Sequence, residues 1–337
     1  MAVAADGSVY VAGSTWFSDR SSSLLLRKYS PQGTVVWTRL YHEGDVRWLT
    51  VGNGVAVAPD GSVYVVGETA ATSPVSDALL LKYSADGTLA WKRTFDGGGR
   101  DLATAVAADG ELCLTGSTTS GSGGWDVLLQ CYHATGELKW TRTFHGFREW
   151  GWNGGTSVAT NGQLVYVVGQ VDNGMGPDLF LATFNWRGGK IYLRTYDGGQ
   201  IDTATGSGVA APADDGGIYV SGSSHAPYES FRLLRKYGNN GRLVWSRSEA
   251  SPGSGTIWGH GVARAPDGNV FQTGTSIWQS GGNRYGFMAL RKYSPSGARL
   301  WSARYRGAGT GVAVGADGSV YVVGRAVGGG LLLLKYR

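Results

Sequence analysis

Residues 54–95 read GVAVAPDGSVYVVGETAATSPVSDALLLKYSADGTLAWKRTF, and this stretch decides the fold. Four short runs within it have strand composition: Gly54–Val57, Ser62–Val66, Asp77–Tyr83 and Thr88–Phe95. An Asp-Gly turn, a longer polar loop and a second Asp-Gly turn separate them. Asp tolerates the left-handed backbone of a two-residue hairpin, and glycine has no steric penalty there. The unit recurs along almost the whole chain, so the protein is one supersecondary unit copied.

Working outward, the second run ends in glycine seven times: SVYVAG at 8–13, SVYVVG at 62–67, ELCLTG at 111–116, LVYVVG at 164–169, GIYVSG at 217–222, NVFQTG at 269–274 and SVYVVG at 319–324. The third run closes on Tyr29, Tyr83, Tyr132, Phe184, Tyr237, Tyr293 and Tyr336. Its continuous apolar character predicts a strand covered on both faces. A fourth run, G-x-x-x-W-x-R-x-aromatic, places Trp37, Trp91, Trp140, Trp245 and Trp301 in phase, with Tyr192 in the remaining copy. Tryptophan at a fixed phase reads as packing between neighbouring sheets, and loss of Trp91 is expected to cost roughly 3–5 kcal/mol as a buried aromatic. Four antiparallel strands repeated seven times predict an all-β, seven-bladed β-propeller. The expectation is one domain, 1–337, with blades at 1–41, 54–95, 104–144, 156–196, 207–249, 260–305 and 310–337. No fourth run follows Leu331–Tyr336, so the last blade is expected to be three-stranded, without strand exchange. Its apolar edge invites weak self-association.

GVAVAPDGSVYVVGET followed by DALLLKYSADGTLAWKRTF resembles the bacterial SBBP type β-propeller repeat, and the likeness spans nearly the whole chain. The resemblance implies a seven-bladed scaffold that serves as a repeat domain of larger surface or secreted proteins. KYSPxGxxxW at Lys28–Trp37 is also similar to the tryptophan-docking repeats of quinoprotein propellers. The resemblance does not place their cofactor-binding residues on this sequence, so no cofactor is expected; a divalent metal stays open, with no ligand motif to support it.

Composition narrows the class. Only 16% of residues are Asp, Glu, Lys or Arg, and the net charge is +5. Arg39, Arg93, Arg142, Arg194 and Arg247 recur one per unit. Such spacing reads as a solvated rim rather than a nucleic-acid track, which needs a clustered stripe. No apolar run is long enough for a membrane helix. MAVAADGSVYV at the start is a strand and turn rather than a signal peptide. The chain is expected to be cytoplasmic if complete, and extracellular or at the cell surface if it is part of a larger protein. Cys113 and Cys131 stand where another unit has Tyr64 and Lys82. Free thiols are the simpler reading, and a cross-strand disulfide stays open. Two cysteines alone cannot make a structural zinc site.

In a propeller, the links from fourth strand to next first strand share a face with the loops from second to third strand. Trp16, Trp48, Trp125, Trp150, Trp152, Trp258 and Trp278 are all expected in such loops. Arg47, Arg148, His225, Tyr228, His260, Arg284 and Tyr285 are interleaved with them. Aromatics offer large contact area at low entropy cost, stacking on sugar rings or packing on peptide side chains. The ligand-binding expectation rests on Trp16, Trp48, Trp125, Arg148, Trp150, Trp152, Tyr228, Trp258, Trp278, Arg284 and Tyr285. For chemistry, the candidates are Glu149, His225, His260 and Asp202, as acid–base groups of a polysaccharide lyase or hydrolase. Asp45, Asp101 and Asp202 recur in links entering a first strand and read more simply as loop caps. No phosphate loop or nucleophile elbow is present. The sequence therefore points to a binding module for a carbohydrate or a protein, with a propeller enzyme or a purely structural repeat domain as alternatives.

Overall fold

Strands account for every regular element of the computed structural model, which describes residues 1–17, 21–43, 49–70, 75–109, 111–119, 123–147, 151–197, 203–211, 216–226, 229–251, 255–280 and 283–336. At 279, 280 and 283–285 it describes the backbone alone. Six sheets have four antiparallel strands in sequential order, and the last has three. The chain is a seven-bladed β-propeller whose blades span 2–41, 50–95, 101–144, 154–196, 203–250, 256–306 and 308–336. By compactness it divides into two units: Met1–Val167 with Val171–Gly174 and Thr183–Ile191, and Val168–Gln170 with Met175–Ala182 and Tyr192–Arg337.

The first strand of blade two runs Thr50–Val57, four residues ahead of the expected start at Gly54. It continues through a register shift between Gly52 and Gly54, opposite Gly67. The same shift recurs between Gly206 and Gly208, and between Gly309 and Gly311. Gly67, Gly222 and Gly324, which close the second run of the repeat, thus lie at bulges, where two residues oppose one.

In the first unit, blades one and two bury Leu24, Leu26, Val63, Val65, Leu79 and Leu81 between them. Blades two and three bury Val66, Leu80, Leu112, Leu114 and Leu128. One row of side chains crosses each blade. In blade two it is Tyr64, Lys82 and Trp91, paired directly across the strands. Lys82 lies over the Tyr64 ring at 5.4 Å, and the Tyr64 and Trp91 rings are 5.9 Å apart. In the second unit the row repeats as Tyr219, Lys236 and Trp245.

The recurrent arginines face solvent, as expected of a rim, but they also join blades. Arg39 stacks on Trp37 and donates Nε–H to the Gly87 carbonyl of the next blade at 2.8 Å. Arg93 does the same on Trp91 and Gly136, and Arg247 on Trp245 and Gly297. The accepting glycine has positive φ, 84° at Gly87, and a Cβ there would lie 3.1 Å from the Trp37 ring. Repetition of arginine, tryptophan and glycine is therefore one device read at three positions. Trp91 itself is half-buried, not fully buried as expected, because the fourth strand is the outer edge of its sheet.

In blade three the row is Cys113, Cys131 and Trp140. The two cysteines form a disulfide, with Cα atoms 4.1 Å apart, in place of the Tyr–Lys pair. The expectation of free thiols is corrected: the residues are directly opposite, and both are buried. Replacing both by alanine is expected to lower the unfolding free energy by about 2–3 kcal/mol, measured by urea denaturation against oxidised wild type. Reduction of the wild type should reproduce most of that loss.

Candidate functional site

The described aromatics are placed partly by strand extension rather than by loops. Trp16 ends the second strand of blade one, opposite Ser22, and Trp125 begins the third strand of blade three, opposite Thr119. Trp258 lies within the first strand of blade six and Trp278 within its long second strand. The expectation that all four belong to loops is corrected, because the hairpins stay paired nearly to their tips. Asp45, Arg47, Trp48, Arg148, Glu149, Trp150, Asp202 and Tyr228 lie outside the described residues, as do the side chains of Arg284 and Tyr285.

Within the first unit, the link from blade three to blade four is held by Asn153, a buried side chain. Its Nδ2 donates to the Trp125 carbonyl at 2.7 Å, while its Oδ1 accepts from Gly146 N at 3.1 Å and Asp172 N at 2.8 Å. Phe147 N donates to the Asp172 carbonyl at 2.6 Å, and Trp125 forms a parallel bridge with Trp152. With its backbone bound this way, the link exposes two large rings: Phe147 is 82% exposed and Trp152 70%. Trp16, 62% exposed, and Phe17 project from the corresponding end of blade one. Trp125 is half-buried with the Arg100 guanidinium 5.8 Å from its ring centroid.

Arg100 also reaches Glu68 at 3.1 Å and donates to Ser76 Oγ at 3.2 Å. Beside it, Asp77, Asp96 and Asp101 bring carboxylate oxygens within 4.8 Å of one another. Burial raises the Asp101 carboxyl above its ordinary range, against hydrogen bonds from Thr118 and Gly97 that lower it. Burial and repulsion from Asp96 and Asp101 raise Asp77 as well. Three carboxylates would supply only part of the oxygen shell of a hard cation, and such acidic groups are common without one. The bond from Gly97 N to Asp101 Oδ2, 2.6 Å, is the loop cap expected from the sequence.

In the second unit, the His225 and Trp258 rings lie 6.1 Å apart, and Trp278 stacks on Phe287 at 4.5 Å. His260 is pushed down to about 4 by burial and then by the Arg232 charge. A neutral imidazole follows at neutral pH.

Phe147, Arg232 and Glu249 are not among the site residues expected from the sequence. Each of the last two breaks a column of the repeat, a signal visible once the units are aligned. Arg232 stands where other blades have Leu24, Ala78 and Val127, and Glu249 where they have Tyr41, Phe95 and Phe144.

A profile of the beta-propeller family described as a domain of unknown function, DUF5122, matches residues 58–89. No curated protein matches the chain in sequence. Among solved structures, Sqt1 from Chaetomium thermophilum is similar at 10% identity, covering 100% of this chain and 95% of its own, with a TM-score of 0.52. A lignostilbene dioxygenase from Pseudomonas brassicacearum is similar at 13% identity, covering 98% and 86%, with a TM-score of 0.51. At these identities the likeness is one of fold alone.

Proposed function

We propose that the chain is a binding module, and that exposed aromatic rings at the strand ends and links of its first unit engage a carbohydrate. The observation that carries this reading is the exposure of Phe147 and Trp152 on a link fixed by Asn153, and of Trp16 at the end of a paired strand. Large apolar side chains held outward by a satisfied buried polar group do not serve the core. Flat rings presented on a rigid frame suit sugar faces and lose little entropy on binding. The SBBP resemblance, with its implication of a domain in a larger surface protein, accords with this reading. So does the disulfide, since such bonds persist in oxidising compartments. Among the described residues no helix is long and apolar enough to cross a membrane.

The test is a glycan array followed by titration of the best polysaccharide, read by tryptophan fluorescence. Trp16→Ala and Trp152→Ala are expected to weaken binding about tenfold or more, with little change in melting temperature. Trp91→Ala is expected to retain binding and to lose about 2 kcal/mol of stability, less than a fully buried aromatic would. A protein that binds only a polypeptide partner, or whose glycan affinity is indifferent to both exposed rings, would overturn the assignment.

A further inference from the structure

Polar residues concentrate at one interface of the second unit, between blades five and six. Arg232 and Glu249 come from blade five; Gln272, in the column of Val11, Val65 and Leu114, comes from blade six. Arg291 joins them from the third strand of blade six. Arg232 is 2% exposed, Arg291 3% and Gln272 1%. At the equivalent positions, blades two and three pack Ala78, Phe95 and Leu114 into an apolar interface.

The charges at this interface do not balance. Arg232 Nη1 donates to Glu249 Oε2 at 3.2 Å, and Arg291 Nη2 donates to Glu249 Oε1 at 2.5 Å. One carboxylate therefore serves two buried guanidinium groups. Arg232 completes its bonding on the Trp258 carbonyl at 3.1 Å and Ser276 Oγ at 3.2 Å. Arg291 keeps Nε and Nη1 buried with no hydrogen-bond partner among the described residues. A cavity of about 370 Å³ opens beside Glu249, walled by Arg232, Glu249, Gln272 and Tyr293, with Arg247 and the exposed Arg299 on its border; Arg291 meets Glu249 but is not among the described lining residues. Among the described residues Glu249 is the one acid in that lining.

We propose that the cavity between blades five and six is a binding site for a small oxyanion, the carboxylate, phosphate or sulfate group of a ligand. A buried cation in excess is costly unless a counter-charge reaches it. Planar guanidinium groups select oxygen acceptors that can take two parallel N–H bonds, which a halide cannot do. The basic residues at the border draw an anion in and repel a cation. This site shares no residue with the aromatic rings of the first unit and does not depend on their role.

The experiment is thermal unfolding of the whole chain titrated with sodium acetate, phosphate or sulfate, each against sodium chloride at matched ionic strength. At least one oxyanion is expected to give a saturable rise in melting temperature that chloride lacks, and the one that does identifies the group. Arg299→Gln, at an exposed position, is expected to weaken the apparent affinity about tenfold. Glu249→Gln, which keeps an acceptor but removes the competing charge, is expected to tighten it. Trp152→Ala should leave it unchanged. A wild type that responds to no oxyanion beyond chloride overturns the proposal. So does a response that neither Arg299→Gln nor Glu249→Gln alters, since the anion would then be bound elsewhere.

Discussion

Replacing Glu249 by alanine is expected to lower the unfolding free energy by about 3 kcal/mol, the lower end of the range for breaking a buried ion pair, because this carboxylate is itself 32% exposed. The loss comes from what remains. Arg232 and Arg291 are almost wholly buried, and among the described residues Glu249 is the acid bonded to both. Without it, two buried guanidinium groups are left with no acidic partner among the described residues. Replacing the network by the residues found between blades one and two is expected to reverse the loss. In Arg232→Leu/Glu249→Tyr/Arg291→Leu the interface regains the residue types of blades one and two, and well-packed apolar groups commonly match or exceed a buried charge network in stability. Urea denaturation of the three proteins checks both statements. An alanine variant within 1 kcal/mol of wild type, by the same scale of effects, would show that the cavity solvates the arginines without help from Glu249.

Gly67→Ala is expected to cost about 3 kcal/mol or more, whereas Gly13→Ala, at the same place in the repeat, should change stability by a few tenths. The sequence makes the two glycines equivalent, since SVYVAG and SVYVVG differ at one residue. Their surroundings differ. A Cβ on Gly67 would lie 1.8 Å from the Val51 carbonyl oxygen and 2.9 Å from its carbon. Both atoms belong to the backbone of the adjacent first strand, so relief requires opening the bulge at Gly52–Gly54. The first strand of blade one, Ala2–Val3, pairs with Tyr10 and Val9 and does not reach Gly13, where a Cβ meets nothing within 4 Å. Gly116, Gly274 and Gly324 would meet the opposing carbonyl at 1.9 to 2.0 Å and should behave like Gly67. Equal melting temperatures for the two variants would sink the steric account and leave the repeated glycine without a reason.

The sequence by itself determined the number of units, the order of strands within each, and the three-stranded last blade. These properties are local. A strand needs a run of the right residues, and a hairpin needs Asp-Gly or a kin of it, as at Gly61 and Gly318 with φ of 82° and 78°. Seven copies average away the exceptions that mislead a single segment. Tertiary structure alone decided which repeated residues join blades and which only close a turn. Arg39, Trp37 and Gly87 appear in sequence as three separate columns, and they become one contact only when blade one lies against blade two. Strand pairing carried Trp258 and Trp278 out of their expected loops, while Asn153 held Trp152 outward. Arg232 and Glu249 were each legible as a broken column. Their pairing with Arg291 was not, because a charge distant in sequence is neutralised only by what the fold brings beside it, and burial makes that neighbour decisive.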